Sequence, residues 1–260
     1  MRHLRLILAY FKHNLMSAIA YRSAFLIQIL GMMLNNVMLL FFWAILFSRF
    51  PNLGGWTMRG VVMLYAIVAA GFGLANAVCG NSGRMAQIIA NGDLDYYLVL
   101  PADPLIHLLV SRTSVPSWGD AIFGLVMFLI AVPDRWVKAP LFLLLCVLSS
   151  LIFIAFSVIV GSLAFWIGQS HNLALQLRNM LLTFGLYPVD IFPGFIRILL
   201  YTLIPAAFIG SMPVSLLTTF SLKLFIALIA MAIVFTFLAW TVFRRGLRRY
   251  ESGNLVTARL

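Results

Sequence analysis

Long apolar tracts constrain this chain more than any other feature. Residues 24–47, 60–80, 140–167 and 222–243 are nearly free of charge. A helix needs about 20 mainly apolar residues to cross the hydrocarbon of a bilayer, and each of these tracts supplies them. Soluble domains are about half apolar and about one quarter charged; here the shares are 63% and 10%. A water-facing fold of 260 residues has no core large enough to hide that much apolar surface, so lipid solvates the outside. The expected fold class is all-α, a polytopic membrane protein forming one transmembrane domain over residues 1–260.

Two further tracts complete the expected spans. One covers residues 118–132 and extends back towards Leu105 or Ser111; the other, at 179–192, is shorter. Residues 198–217 are apolar too, but Pro205 and Pro213 interrupt them. Proline removes an amide donor and kinks a helix. Residues 196–217 are therefore read as a broken re-entrant segment, with a seventh span as the alternative. Orientation follows from the cations. Arg2, Arg5, Lys12 and Arg22 lie at one end; Arg244, Arg245, Arg248, Arg249 and Arg259 lie at the other. Cations concentrate on the cytoplasmic side, so both termini are expected there. That requires an even number of spans, and six is the count. Residues 81–104 and 168–178 then face the cytoplasm, and 48–59, 133–139 and 190–221 face outward.

The net charge of +11 does not point to nucleic acid, which needs a polar basic face. Here the cations flank apolar tracts, as anionic membrane lipid favours. In residues 1–22, Leu4, Ile7, Leu8, Phe11 and Leu15 share one helical face while Arg2, Arg5 and Lys12 share another. That pattern describes a helix lying in the interface. Lys12 and His13 interrupt the apolar core that a signal peptide would need. Cys79 and Cys146 sit in apolar tracts without a CxxC pattern and are read as membrane-buried thiols.

Several chemistries have no site. None of Lys12, Lys138 and Lys223 precedes Ser or Thr, so there is no phosphate-binding Walker loop. His3, His13, His107 and His171 are scattered, without metal-ligand spacing. No GxSxG occurs. The chain is not expected to be an enzyme, nor to bind a metal or cofactor itself. Asp120 and Asp190 fall in or near apolar tracts, and such residues are candidates for function. A proton relay needs a chain of them, so both are assigned interfacial or bundle-facing structural roles, with Arg112 or Arg178 as candidate partners for Asp120. A stand-alone secondary transporter would show paired broken helices and midplane charges, and a lipid-acting enzyme a cluster of His, Asp or Ser at one interface. Neither pattern is present.

Residues 91–104, NGDLDYYLVLPADP, hold three of the seven carboxylates. Residues 82–90 can form a short helix, which Asn91-Gly92 would end. A short cytoplasmic helix followed by exposed charge and aromatics is either a docking element for a soluble partner or a solvated loop. In span two, Ala69, Gly73 and Ala77 recur every four residues, and small residues at that spacing let helices approach closely. The partner is equally a second permease or another helix of the same chain.

The chain resembles the permease subunits of ABC-2 type, exporter-like ABC transporters. GDLDYYLVLPADPL at 92–105, YTLIPAAFIGSMPVSLL at 201–217 and RGLRRYESGN at 245–254 carry the resemblance. Their order and spacing extend it over nearly all of the sequence. Two departures concern the finer subfamily: Leu100 stands where relatives usually have Arg, and a small residue is missing between Ser252 and Gly253. The resemblance implies a bacterial inner-membrane protein acting as a pair, identical or related, beside two copies of a cytoplasmic ATPase that holds ATP and Mg. The segment 81–104 would be the coupling element, with Arg84, Gln87, Gly92, Asp93 and Asp95 facing the ATPase. Residues 1–22 would be an elbow helix. The broken segment, with Pro205, Phe208 and Pro213, would form an outer gate. Residues 244–260 would be a basic cytoplasmic tail.

Overall fold

The computed structural model describes residues 2–99 and 101–250, with side chains from Leu6 onward. The side chains of Arg2, Leu4 and Arg5 fall outside the described residues, as do Leu100 and the tail with Ser252, Gly253 and Arg259. Among the described residues the regular structure is helical: α1 (Arg2–Ala20), α2 (Arg22–Arg49), α3 (Met58–Val78), α4 (Met85–Ala90), α5 (Asp95–Leu98), α6 (Pro104–Val110), α7 (Pro116–Ala131), α8 (Arg135–Ser162), α9 (Ala164–Ile167), α10 (His171–Gly185), α11 (Gly194–Tyr201), α12 (Ala206–Ile209), α13 (Ser211–Thr218) and α14 (Leu222–Leu247). The all-α polytopic membrane class holds.

Four helices are long and apolar enough to cross a membrane: α2, α3, α8 continued by α9, and α14. They divide into inner and outer pairs. In their most apolar stretches 78% and 67% of the residues of α3 and α8 are buried, against 17% and 22% in α2 and α14. Small residues put α3 at the centre. A Cβ on Gly73 would lie 2.4 Å from the backbone nitrogen of Ala121, and one on Gly124 2.5 Å from that of Ala70. The backbones of α3 and α7 therefore cross in direct contact. Gly119 brings α7 equally close to α2, where an added Cβ would meet the Ile29 carbonyl oxygen at 2.6 Å.

Three boundaries differ from the sequence reading. The third tract does not reach back to Leu105 or Ser111. Pro104 opens α6, capped by Asp103, and Pro116 opens α7. Thr113 Oγ1 donates to the Ala77 carbonyl oxygen (2.6 Å) and Ser114 N to that of Asn76 (3.0 Å), pinning the link between the two helices to α3. At 16 residues, α7 is only about 24 Å long. The fifth helix occupies 171–185 rather than 179–192, because Pro188 follows its C-terminus. It is amphipathic rather than apolar. The fourth begins at Arg135, so Pro140 lies within α8. The broken segment is bent by 63° between α11 and the α12–α13 pair; counted as one span, it brings the apolar membrane-length elements to five.

α1 lies against α6 and α2. Ile7, Tyr10, Phe11 and Leu15 are partly buried, whereas Leu8, placed on the same stripe by sequence, is exposed.

Candidate functional site: a tucked coupling helix above a polar groove

The segment expected to dock a soluble partner is turned inward at its start. A single 3₁₀ turn, Gly80–Gly83, leads into α4. Met85, Ala86, Ile88 and Ile89 of α4 are buried against α8, α9 and α10. Residues 82–90 are thus an internal element, not an exposed docking helix. The apolar spacing of MAQIIA carried that signal, because three- and four-residue intervals place its large residues on one face. Gly92, at φ 81°, ends the helix in a conformation that costs glycine little. Exposure begins there: Asn91, Asp93, Asp95, Tyr96, Leu98 and Val99 face outward, as does Arg84, while Gln87 and Gly92 are half-buried.

Long-range polar contacts hold this exposed turn. Tyr250 donates its hydroxyl to the Gly92 carbonyl oxygen (2.9 Å), and Arg244 pairs with Asp103 (2.7 Å). Asp103 also accepts from Leu105 N and Ile106 N, capping α6. Burial first, and Asp95 second, push the Tyr250 phenol well above its ordinary range. Asn81 Nδ2 donates to the Leu108 carbonyl oxygen and to Ser111 Oγ (3.0 and 2.8 Å). Tyr10 Oη lies 2.6 Å from His107 Nε2. Burial raises the Tyr10 phenol, with Tyr96 and Tyr97 adding to the effect, and burial lowers His107. Both therefore favour the neutral form. Between these elements lies a cleft of about 550 Å³ that presents Arg84, Arg112, Asp93 and three tyrosines.

A second cleft, of about 520 Å³, lies between α2, α3, α7 and α10. Arg84 and Gln87 line it from the 81–104 segment, joined by Met32, Phe72, Asn76, Ser117, Asp120, His171, Leu175 and Arg178. Asp120 pairs with neither candidate cation. Its Oδ1 accepts from Asn36 Nδ2 (2.7 Å), and its buried Oδ2 has no partner. Arg178 donates to Asn76 Oδ1 and to Ser157 Oγ, with its guanidinium over the Phe72 and Phe153 rings. Asp190 pairs with Arg197 (2.7 Å) and accepts from Trp56 Nε1.

Around this cavity the helices expose polar side chains. Asn172, Gln176, Asn179 and Thr183 form an exposed stripe on α10, opposite its buried Ala174, Leu181 and Gly185. On α2, Gln28 and Asn35, seven residues apart, are exposed. Amide side chains in hydrocarbon are costly unless they find a partner or water.

Pro205, Phe208 and Pro213 are all buried in the bent segment, with Phe208 edge-on to Tyr201 at 5.7 Å. Ser211 Oγ accepts from Val189 N, and Lys138 Nζ donates to the Leu217 carbonyl oxygen, fastening the segment to its neighbours. Ala69, Gly73 and Ala77 are buried within the chain, with Gly73 against α7. Cys79 and Cys146 are free and buried.

No curated protein matches the chain. A family model described as ABC-2 family transporter protein matches residues 33–253, from α2 to just past α14. The match includes residues 81–104, the bent segment and all of the groove's lining but Met32. The chain belongs to the ABC-2 family transporter proteins and is a multi-pass membrane permease of an ABC transporter.

Proposed function

We propose that the chain is one half of an export pathway, completed by a second permease, identical or related, and driven by two copies of a cytoplasmic ATPase. The polar stripe of α10 carries this reading. A helix among membrane spans that turns Asn172, Gln176, Asn179 and Thr183 outward is poorly suited to lipid and well suited to a hydrated pathway between two copies. ATP and Mg belong to the ATPase. Export, and placement in a bacterial inner membrane with both termini cytoplasmic, follow from the resemblance to exporter-like permeases and from the distribution of cations.

In this reading the ATPase grips the exposed turn at 91–99 and the cleft above it. Asp93, Asp95 and Arg84 are its contacts, and Gly92 shapes the turn. α4 then passes the motion to α8 and α10, which it touches. Gln87 reports on the groove rather than on the ATPase. The bent segment with Pro205, Phe208 and Pro213 closes the outer end, α1 acts as the elbow, and residues 244–260 form the basic tail. Ala69, Gly73 and Ala77 serve packing inside each copy rather than pairing.

The test is co-purification of the tagged chain from native membranes, beside an Asp93→Ala/Asp95→Ala variant. The expected result is a soluble ATPase with the wild type and much less with the variant. Equal recovery would refute the role of the two aspartates; no ATPase with either form would refute the transporter assembly.

A further inference from the structure

The second cleft holds a cation that no carboxylate among the described residues pairs with. Arg178 has two hydrogen-bond partners, Asn76 and Ser157, and neither is charged. Among the described residues no carboxylate lies within ion-pair distance of it. A cation withdrawn from water normally finds a counter-charge. The same cavity contains two unsatisfied buried atoms, Asp120 Oδ2 and His171 Nδ1. The other walls include Met32, Phe72 and Leu175, which offer an apolar surface next to the charge.

We infer that Arg178 is the anchor of a substrate site for an amphiphile whose head group is an anion, a phosphate, sulfate or carboxylate, and also carries hydrogen-bond donors. The anion meets the guanidinium. A donor on the head group, such as a hydroxyl or ammonium, satisfies Asp120 Oδ2, and the apolar part lies along Met32, Phe72 and Leu175. Arg84 and Gln87 of the coupling segment line the same cavity, so an occupied site is in contact with the element that carries the ATPase's motion. The inference takes its meaning from the transporter reading, but its measurement does not need the ATPase.

The experiment is binding of a fluorescent dodecyl phosphate to the purified full chain in nanodiscs of zwitterionic lipid. Dodecyl maltoside and inorganic phosphate serve as competitors. Saturable binding is expected, resistant to the maltoside. Arg178→Gln should weaken it about tenfold or more, as the loss of one charge-assisted hydrogen bond implies. Arg178→Lys should recover part of that loss. At a pH where the probe's phosphate is fully ionised it offers no donor to Asp120 Oδ2, so Asp120→Asn should tighten binding of this probe by removing a like charge. A purely structural Arg178 would not give that opposite pair of shifts. Size-exclusion profiles identify variants that fail to fold, and the Asp120→Asn arm remains decisive if Arg178→Gln is lost. Wild-type affinity in a folded Arg178→Gln, or weaker binding in Asp120→Asn, overturns the proposal. Displacement by inorganic phosphate at matching concentration overturns the amphiphile in favour of a free oxyanion. Absence of an ATPase in the co-purification would overturn the transporter reading while leaving this binding result standing.

Discussion

Gly73→Ala tests the packing at the centre of the bundle. The added Cβ would lie 2.4 Å from Ala121 N, 2.7 Å from the Ser117 carbonyl oxygen and 2.8 Å from Ala121 Cα. All three are backbone atoms of α7, so no rotamer change relieves them. Restoring ordinary contact moves α7 about 1 Å away from α3, along an interface where Gly124 packs equally tightly in the reverse direction. Overpacking of this kind costs about 1–3 kcal/mol. Alanine also favours a helix over glycine by about 1 kcal/mol, which would mask part of the cost. Gly31→Ala in α2 supplies the control, since nothing lies within 4 Å of a Cβ there. The helix-propensity gain is common to both variants and cancels in their difference. The assay is thermal unfolding in detergent, followed by a dye that labels the buried Cys79 and Cys146 as they become accessible. Gly73→Ala should unfold roughly 2–10 °C below Gly31→Ala. Equal midpoints would refute a direct backbone crossing of α3 and α7.

Three further outcomes follow from the polar contacts. Asn36→Leu removes the amide that Asp120 Oδ1 accepts from and leaves that carboxylate without a partner, so the protein should lose about 1–3 kcal/mol in the same thermal assay; Asp120→Asn in that background should recover part of the loss. Tyr250→Phe removes the hydroxyl that donates to the Gly92 carbonyl oxygen, a net change of about 0.5–1.5 kcal/mol, and hydrogen exchange should quicken at residues 91–99 but not in α3. His107 titrates below its ordinary value because burial disfavours its charged form. The unfolded chain therefore binds this proton first, and the His107 contribution to stability is complete above about pH 6.5 and declines as pH falls through that value. The difference in unfolding temperature between wild type and His107→Gln should shrink over that range.

Much of the architecture was legible because apolar length is a local property. Residues 24–47 and 222–243 read as spans and lie within α2 (Arg22–Arg49) and α14 (Leu222–Leu247), which run only about a turn or less beyond them. The broken segment was readable from Pro205 and Pro213, and the stop at Asn91-Gly92 from one glycine. α10 was not readable in the same way. Its core residues Ala174, Leu181 and Gly185 are few, and two of them are small, so a search for apolar length passes over the first half of the helix and runs past its end. The direction of α4 was open to misreading for the opposite reason. Its apolar face, Met85, Ile88 and Ile89, is only three large residues long, a signal easily overlooked beside the charged and aromatic stretch that follows. The partners of Asp120, Arg178 and Asp103 come from distant helices, and no spacing in the sequence announces Asn36, Asn76 or Arg244.

The bond between Tyr250 and Gly92 joins positions 158 residues apart, and the Arg244–Asp103 pair joins positions 141 apart. Chains are made from the N-terminus onward and begin to fold as they emerge. The segment 91–103 is synthesised early, yet these two fastenings arrive with the last helix and the residues just after it. A chain whose synthesis stops before α14 therefore carries the whole sequence of the turn but lacks the residues that hold it. The exposed surface takes its final form only once the protein is nearly complete.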